Sequence, residues 1–377
     1  MRSDLETTPF TTYDNNARAL PAPAVTQAAS RLRLHGGLLL LLLVVLVLVF
    51  LLSLVVGSVS IPLTDILTIL VGGEPARATW TTIVLDFRLP KALTALLAGA
   101  ALAVGGLQMQ TLFRNPLADP YVLGVSSGAS LGVALVVLSV GTTGSMLLAG
   151  LGLSGDFGIT LAAILGSGFA LLLVIAVAAR VQSVITLLVL GLMFGYATGA
   201  LVSLLMYFSV AERIQMYINW TYGSFSGVSW RQMPIFIPVV IVGLLLTFLL
   251  SKPLNALLLG EAYARSMGLN VRRVRLAIIS STALLAGSVT AFCGPIGFLG
   301  LAVPHLCRAL FGTSDHRILT PATLLLGGTL ALVADLVAQM PGSQIVLPLN
   351  AVTALIGAPV VIWVILRRRS LRGSFSA

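Results

Sequence analysis

Long apolar runs separated by short polar segments dominate this chain. Most runs reach the roughly 17–25 residues that a helix needs to cross a bilayer. They are continuous rather than alternating, which disfavours an outer-membrane β-barrel. The eighth of the ten runs is short and is interrupted by Pro304. Broken helices of this kind are tolerated only where they are buried in protein or line a cavity. The pattern predicts an all-α, polytopic membrane protein with about ten transmembrane helices, near residues 36–57, 91–111, 121–140, 157–179, 184–209, 233–251, 273–293, 297–311, 318–340 and 344–366.

Composition and charge support a membrane location and set an orientation. The chain is 58% hydrophobic and 9% charged, against roughly 25% charged residues in soluble domains. With ten spans and a cytoplasmic N-terminus, 17 of the 22 basic residues face the cytoplasm, as the positive-inside rule requires. Both termini are then cytoplasmic. The net charge of +10 fits contact with anionic lipid rather than nucleic acid, because no basic domain stands outside the membrane. The five basic residues on the outside are Arg77, Arg88, Lys91, Arg213 and Arg231.

Three regions follow from this pattern. Residues 1–35 are polar and poor in aromatic residues, which predicts a disordered cytoplasmic tail. Residues 36–368 form the transmembrane domain, and residues 369–377 form a cytoplasmic C-terminal tail. The first apolar run is longer than a signal-peptide core, so we expect it to be retained as a span.

A dense polar block, RNPLADPYVLGVSSGA, occupies residues 114–129 between two apolar runs. Pro116 and Pro120 cannot continue a helix, and the residue before each proline is driven towards extended geometry. Gly124 and Gly128 allow close backbone approach or positive φ. The block therefore predicts a stiff, shaped turn where the chain re-enters the membrane. A simple hairpin between spans is the alternative, although it would need far less sequence.

A second polar break, residues 251–274, has a helical pattern at its centre. Glu261 and Arg265 are spaced i,i+4 and can pair on one helix face. Small residues at Ala262 and Ala264 leave room for a partner to dock. The segment is therefore either a docking element or an ordinary amphipathic surface helix.

The chain lacks the residues that catalysis or a bound metal would require. Neither of its two lysines lies in a phosphate-binding loop, so ATP-driven transport would need an ATPase in another chain. Cys293 and Cys307 are expected to be small buried hydrophobes. His305 and Cys307 lack a second ligand pair, which disfavours zinc. We expect no catalytic residues, no metal and no cofactor, and a membrane-embedded enzyme is disfavoured for the same reason.

An ion-coupled secondary transporter is a further alternative, because such proteins need acidic residues near the middle of the membrane. Asp335 is the sole candidate. It could line a pathway, or it could satisfy a helix end beside Gln339 and Ser343.

Several ordered motifs between about residues 40 and 368 resemble the permease subunits of ATP-binding cassette importers for vitamin B12, ferric siderophores and haem. Their order along the chain makes the resemblance more specific than any single motif. The motifs occupy residues 88–91 (RLPK), 99–103 (GAALA) with Gln110, 115–118 (NPLA), 260–268 (GEAYARSMG), 294–301 (GPIGFLGL), 303–305 (VPH), 315–317 (DHR) and 357–359 (GAP).

The resemblance implies an assembly and a cargo. It implies a homodimer in the cytoplasmic (inner) membrane, working with two ATPase subunits and one extracytoplasmic substrate-binding protein. The expected cargo is an iron chelate, a ferric siderophore or haem, and cobalamin is the alternative. The run that contains Gly195 and Gly199 is placed beside the translocation path near the two-fold axis, although ordinary close helix packing is also consistent with that spacing.

The resemblance also assigns roles to individual residues. Arg88 and Lys91 would dock the binding protein, with interfacial anchoring as the alternative. Gln339 stands where some relatives carry an arginine, so one docking charge is missing. The implied cytoplasmic gate consists of Asn115, Pro116 and Leu117, opposed by the turn at residues 182–183, which contains Ser183. The ATPase-coupling element is implied to contain Gly260, Glu261, Ala264, Arg265 and Gly268.

Overall fold

A computed structural model describes residues 23–57, 59–138, 156–181, 183–340 and 346–373. Residues 1–22 of the predicted tail lie outside this part, and so do the last four residues of the chain. The first helix begins at Pro23, within the region predicted to be a tail. The final helix likewise continues to Gly373, into the predicted C-terminal tail.

The described chain is built from helices joined by short turns. A π-helical segment, Ile83–Arg88, links the third helix to the fourth, and a 3-10 helix, Pro120–Leu123, precedes the fifth. The helices are α1 (Pro23–Val55), α2 (Leu63–Leu70), α3 (Ala78–Thr82), α4 (Leu89–Leu112), α5 (Val125–Val137), α6 (Asp156–Ala178), α7 (Val184–Tyr207), α8 (Ala211–Thr221), α9 (Met233–Leu249), α10 (Ser251–Leu258), α11 (Glu261–Ser266), α12 (Val271–Cys293), α13 (Leu299–Phe311), α14 (His316–Ala338) and α15 (Leu349–Gly373).

The prediction of an all-α, polytopic membrane protein is confirmed, and the count of ten is approximate. In the described residues, 6 helical segments are long and apolar enough to cross a membrane, and α9 with α10, bent by 51°, makes a seventh if the pair is counted as one span. Three shorter apolar helices, α5, α13 and residues 349–364 of α15, coincide with the remaining predicted runs. Each of these three helices is too short for its length alone to establish that it crosses the membrane.

Helix α4 lies at the centre of the bundle and packs against α12, α13 and α14. Small residues allow this close packing. A Cβ on Gly106 would lie 1.8 Å from the carbonyl oxygen of Gly300, and one on Gly99 would lie 2.3 Å from that of Gly327. Substituting either glycine would therefore force the helices apart.

A buried polar network fixes the register of α4 against α9 and α12. The amide of Gln108 donates to the hydroxyls of Thr247, at 2.9 Å, and Ser281, at 3.2 Å. Its Oε1 accepts from Thr282 at 2.6 Å. The polar Gln108 side chain is thus satisfied inside an apolar bundle, as buried polar groups must be.

Candidate functional site

The loop after α4 is shaped by its own polar groups and is tied to two other helices. Asn115 Oδ1 accepts a hydrogen bond from the Leu117 amide at 3.0 Å. The Pro116 carbonyl accepts one from His305 Nε2 on α13 at 2.7 Å. Arg114, at φ 48°, donates to the Leu258 carbonyl at the end of α10 at 3.1 Å. The loop is therefore a stiff, shaped turn, as its sequence predicts, rather than a slack hairpin.

Asp119 fixes the second half of this loop. Its side chain caps the 3-10 helix by accepting from the Tyr121 amide at 2.9 Å. Burial raises the pKa of Asp119 to about 6, and the bond from the Tyr121 amide opposes that rise. Gly124 then adopts φ 75°, a conformation that favours glycine, and the next residue begins α5.

A cavity of about 490 Å³ separates this loop from α7. The predicted gate residues Asn115 and Leu117 line one side, together with Tyr121. The opposite side is formed by a face of α7 that includes Leu188, Gly191, Leu192, Gly195 and Tyr196. Leu117 is 43% exposed, so much of its side chain is left uncovered by this chain.

Ser183, predicted to oppose this loop, has a local structural role. Its hydroxyl caps the start of α7 by accepting from the Thr186 amide at 3.3 Å. Its neighbour in the predicted turn, Gln182, lies outside the described residues. The loop therefore faces the middle of α7 across the cavity. Ser183 instead stabilises the start of that helix.

The predicted coupling segment forms the short helix α11, bounded by two glycines with positive φ. Gly260, at φ 117°, precedes it, and Gly268, at φ 81°, follows it. Glu261 pairs with Arg265 at 3.1 Å, as the i,i+4 spacing predicts. Glu261 also contacts Arg275 of α12 at 2.7 Å, an ion pair that the sequence did not reveal. This carboxylate joins α11 to the start of a membrane span.

Ala264 lies on the inner face of α11, which corrects the expectation that it leaves room for a partner. It is fully buried and belongs to an apolar cluster with Leu254 and Val271. Tyr263 and Met267, which are 52% and 60% exposed, lie on the opposite side of this segment, and Leu259, just before Gly260, is 64% exposed. These three residues are called the coupling face below. The four-residue spacing of Tyr263 and Met267 was the available sequence signal for it.

The two basic residues predicted to dock a binding protein already have partners inside the chain. Arg88 donates to the carbonyl oxygens of Leu54, at 2.7 Å, and Val55, at 2.9 Å, at the end of α1. It also contacts the Val59 carbonyl. Arg88 thus supplies donors to carbonyls that a helix end leaves without intrahelical partners. Pairing within the chain leaves it less available to a binding protein.

Lys91 forms an ion pair with Asp335 of α14. The Nζ–Oδ1 distance is 3.0 Å, and the two side chains are 19% and 8% exposed. Gln339 donates to the other oxygen of Asp335 at 2.6 Å. Asp335 therefore links α14 to α4 and to Gln339, and Lys91 compensates its charge. Ser343, the other residue considered beside it, lies outside the described residues. A compensated carboxylate gives little support to an ion-coupled secondary transporter.

Within the described residues, no group of three His, Cys, Asp or Glu side chains could hold a metal ion. Cys293 and Cys307 are both free thiols in the interior, as predicted. Polar side chains near the predicted gate residues link helices rather than bind a metal. Arg308 of α13 donates to Gln110 of α4 at 2.6 Å, and Gln110 donates to the Leu301 carbonyl at 3.1 Å. These contacts join α4 to α13, so the two helices can move as one unit. The sequence alone gave no signal that Gln110 pairs with Arg308.

Comparison with known proteins identifies the family of this chain. Residues 44–367 match the FecCD transport family. The chain is 39% identical over 297 residues to the vitamin B12 import system permease protein BtuC of Klebsiella pneumoniae, covering 79% of this chain and 86% of that protein. It is also 39% identical over 284 residues to BtuC of Escherichia coli O9:H4, covering 75% and 83%.

A solved structure shares the fold. It is described as an inward-facing conformation of a metal-chelate type ABC transporter, with a TM-score of 0.75 and 31% identity over 87% of this chain and 99% of that chain. The family match, the two permeases and this structure agree with the motif order and the helical architecture. The chain therefore belongs to the FecCD transport family and is a multi-pass membrane permease of an ATP-binding cassette importer.

Proposed function

We propose that two copies of this chain form a path through which a metal chelate enters the cytoplasm. The cavity between residues 115–117 and α7 carries this proposal. It lies beside a helix of span length whose large apolar side chains are mostly uncovered, including Met193, Tyr196 and Tyr207. A second copy that faced α7 across a two-fold axis would turn this open cavity into an enclosed path.

Cobalamin is the leading cargo. The similar permeases from Klebsiella and Escherichia are vitamin B12 import proteins, and the chain spans most of their length. A ferric chelate, the leading expectation from the sequence, is the second candidate, because the similar solved structure is of metal-chelate type. Both are bulky chelates, which suits a path formed between two subunits rather than inside one.

The coupling face of Leu259, Tyr263 and Met267 is proposed to dock on the ATPase subunit. Exposed aromatic and apolar residues of this kind commonly anchor protein interfaces. Movement of α11 reaches α12 through the contact of Glu261 with Arg275. Arg114 connects the end of α10 to the gate loop, so nucleotide-driven movement of this region also displaces residues 115–117.

The outer end of the bundle is proposed to receive the substrate-binding protein. Arg88 and Lys91 act there chiefly by holding α1, α4 and α14 in position, because their charged groups bond within the chain. Exposed Arg77 and Arg231 remain for charge steering of the partner.

Reconstituted uptake tests this function. The permease is placed in proteoliposomes with its ATPase, and its binding protein is loaded with cobalamin, a ferric siderophore or haem. We expect ATP-dependent uptake of cobalamin, and none when the ATPase carries a substitution that abolishes hydrolysis. Uptake of the ferric chelate alone would select the second candidate, and uptake driven by an ion gradient without ATP would refute the proposal.

A further inference from the structure

Four arginines line one cleft beside α11. The cleft encloses about 620 Å³ between the turn that follows α6 and the first turns of α12. Arg180 comes from the turn, Arg265 from α11, and Arg272 and Arg275 from α12. None of the described residues that line it is acidic. Glu261, beside the cleft, pairs with Arg265 and Arg275, so the four arginines leave a net excess of positive charge on a concave surface that can enclose a small anionic group.

Contacts within the chain hold the walls of this cleft in place. Arg272 donates to the Ala179 carbonyl, which links α12 to the turn after α6. Arg275 is held by Glu261 at 2.7 Å. Asn270 caps α12 by accepting from the Arg273 amide at 3.1 Å, and the helix start adds the positive end of its dipole. Guanidinium groups fixed in this way suit recognition of phosphate oxygens.

An apolar stripe on α6 leads towards the cleft. Leu165, Phe169 and Leu172 are 65%, 60% and 69% exposed and are spaced so that they share one helix face. Ala179, seven residues after Leu172 and still hydrogen-bonded to the Ile175 carbonyl in helical fashion, lines the cleft on the same side. A soluble anion would leave this stripe uncovered, whereas a lipid would place its headgroup in the cleft and its acyl chains along the helix.

We propose that the cleft binds the phosphate-bearing headgroup of an anionic phospholipid from the cytoplasmic leaflet. Basic pockets between helices at this leaflet are suited to anionic headgroups. The phosphate lies among Arg180, Arg265 and Arg272. Because Arg265 belongs to α11, the bound lipid connects this helix to the ends of α6 and α12. The inference rests on the proposed function only for the orientation of the cleft towards the cytoplasm.

Native mass spectrometry of the purified full-length permease tests this site directly. The protein is titrated with phosphatidylglycerol, with phosphatidylcholine and with inorganic phosphate. We expect retention of phosphatidylglycerol in preference to the other two. The double variant Arg180→Gln/Arg272→Gln should bind this lipid about thirtyfold more weakly, since each arginine near the surface contributes about fivefold.

The double variant Arg273→Gln/Arg317→Gln is the matched control. It removes two exposed arginines from the same end of the helical bundle as the cleft, but neither residue lines the cleft. We expect its affinity for phosphatidylglycerol to stay within about twofold of the unmodified protein, because only long-range charge is lost. Size-exclusion profiles should match for all three proteins, and melting temperatures should differ little, because the substituted side chains are exposed, including Arg272 with its single bond to the Ala179 carbonyl.

Four results would overturn the proposal. These are an equal loss of lipid in the control, equal retention of phosphatidylcholine, and displacement of the lipid by an equal concentration of inorganic phosphate. The fourth is unchanged lipid binding with loss of ATPase assembly in Arg180→Gln/Arg272→Gln, which would assign the cleft to an acidic surface of the ATPase. None of these measurements uses transport, so a failure here is separate from a failure of the proposed function.

Discussion

Charged side chains at the end of the bundle where α1 ends and α4 begins hold helices together. Lys91 and Asp335 form an ion pair that is largely hidden from solvent. Removing one partner leaves the other buried without compensation, which costs far more than losing an exposed pair. Lys91→Met should lower the free energy of unfolding by about 3 kcal/mol, measured as a fall in melting temperature in detergent.

A second variant separates this role from docking. Lys91→Met/Asp335→Asn removes both charges and should recover much of the lost stability, because no unpaired carboxylate remains. If Lys91→Met melts like the unmodified protein but binds the substrate-binding protein more weakly, Lys91 is a docking residue and the ion pair is incidental.

Asp119 makes stability depend on pH. Its pKa is higher in the folded protein, about 6, than in the unfolded chain, so folding favours the protonated carboxyl. This contribution is fully present below about pH 4 and is lost as pH rises through about 6. Asp119→Asn keeps an oxygen that can cap the 3-10 helix. The variant should melt with less pH dependence between pH 4 and 7, and an unchanged profile would show that Asp119 does not titrate in this window.

At the scale of elements, α11 is proposed to carry the connection to the ATPase. Tyr263→Ala/Met267→Ala removes two exposed anchors of the coupling face and should weaken ATPase binding at least tenfold, measured by co-purification and titration. The permease should keep its melting temperature, because neither side chain is in the interior. Ser266→Ala, on the same helix, is the control and should bind the ATPase normally. Full binding by the double variant would place the ATPase contact elsewhere.

The same helix shows what sequence could and could not predict. The bounds of most membrane helices follow from apolar runs, and the Glu261–Arg265 pair follows from helical spacing. The contact of Glu261 with Arg275 does not, because it depends on how two helices meet. Ala264 was assigned to the wrong face, since an alanine fits either a contact surface or a packed interior. Burial resolves this ambiguity only when the neighbouring helices are in place.

At the scale of the whole molecule, the basic-residue asymmetry predicts which end faces the cytoplasm. Ala76→Cys, in the segment between α2 and α3, should react with a membrane-impermeant thiol reagent added to the outside of intact cells. Ser370→Cys should react only after the membrane is opened. The native cysteines are interior, which keeps background labelling low. Equal labelling of both positions from outside would overturn this topology.

The central claim is that an ATPase, acting through α11, moves the loop of residues 115–117 in a dimer of this permease. The most direct test is disulfide cross-linking of Leu117→Cys between the two subunits of the assembled transporter. Cross-linking should differ clearly between nucleotide-free and ATP-bound states, and Tyr263→Ala/Met267→Ala should abolish that difference. Equal cross-linking in every nucleotide state, or none in any state, would contradict the account.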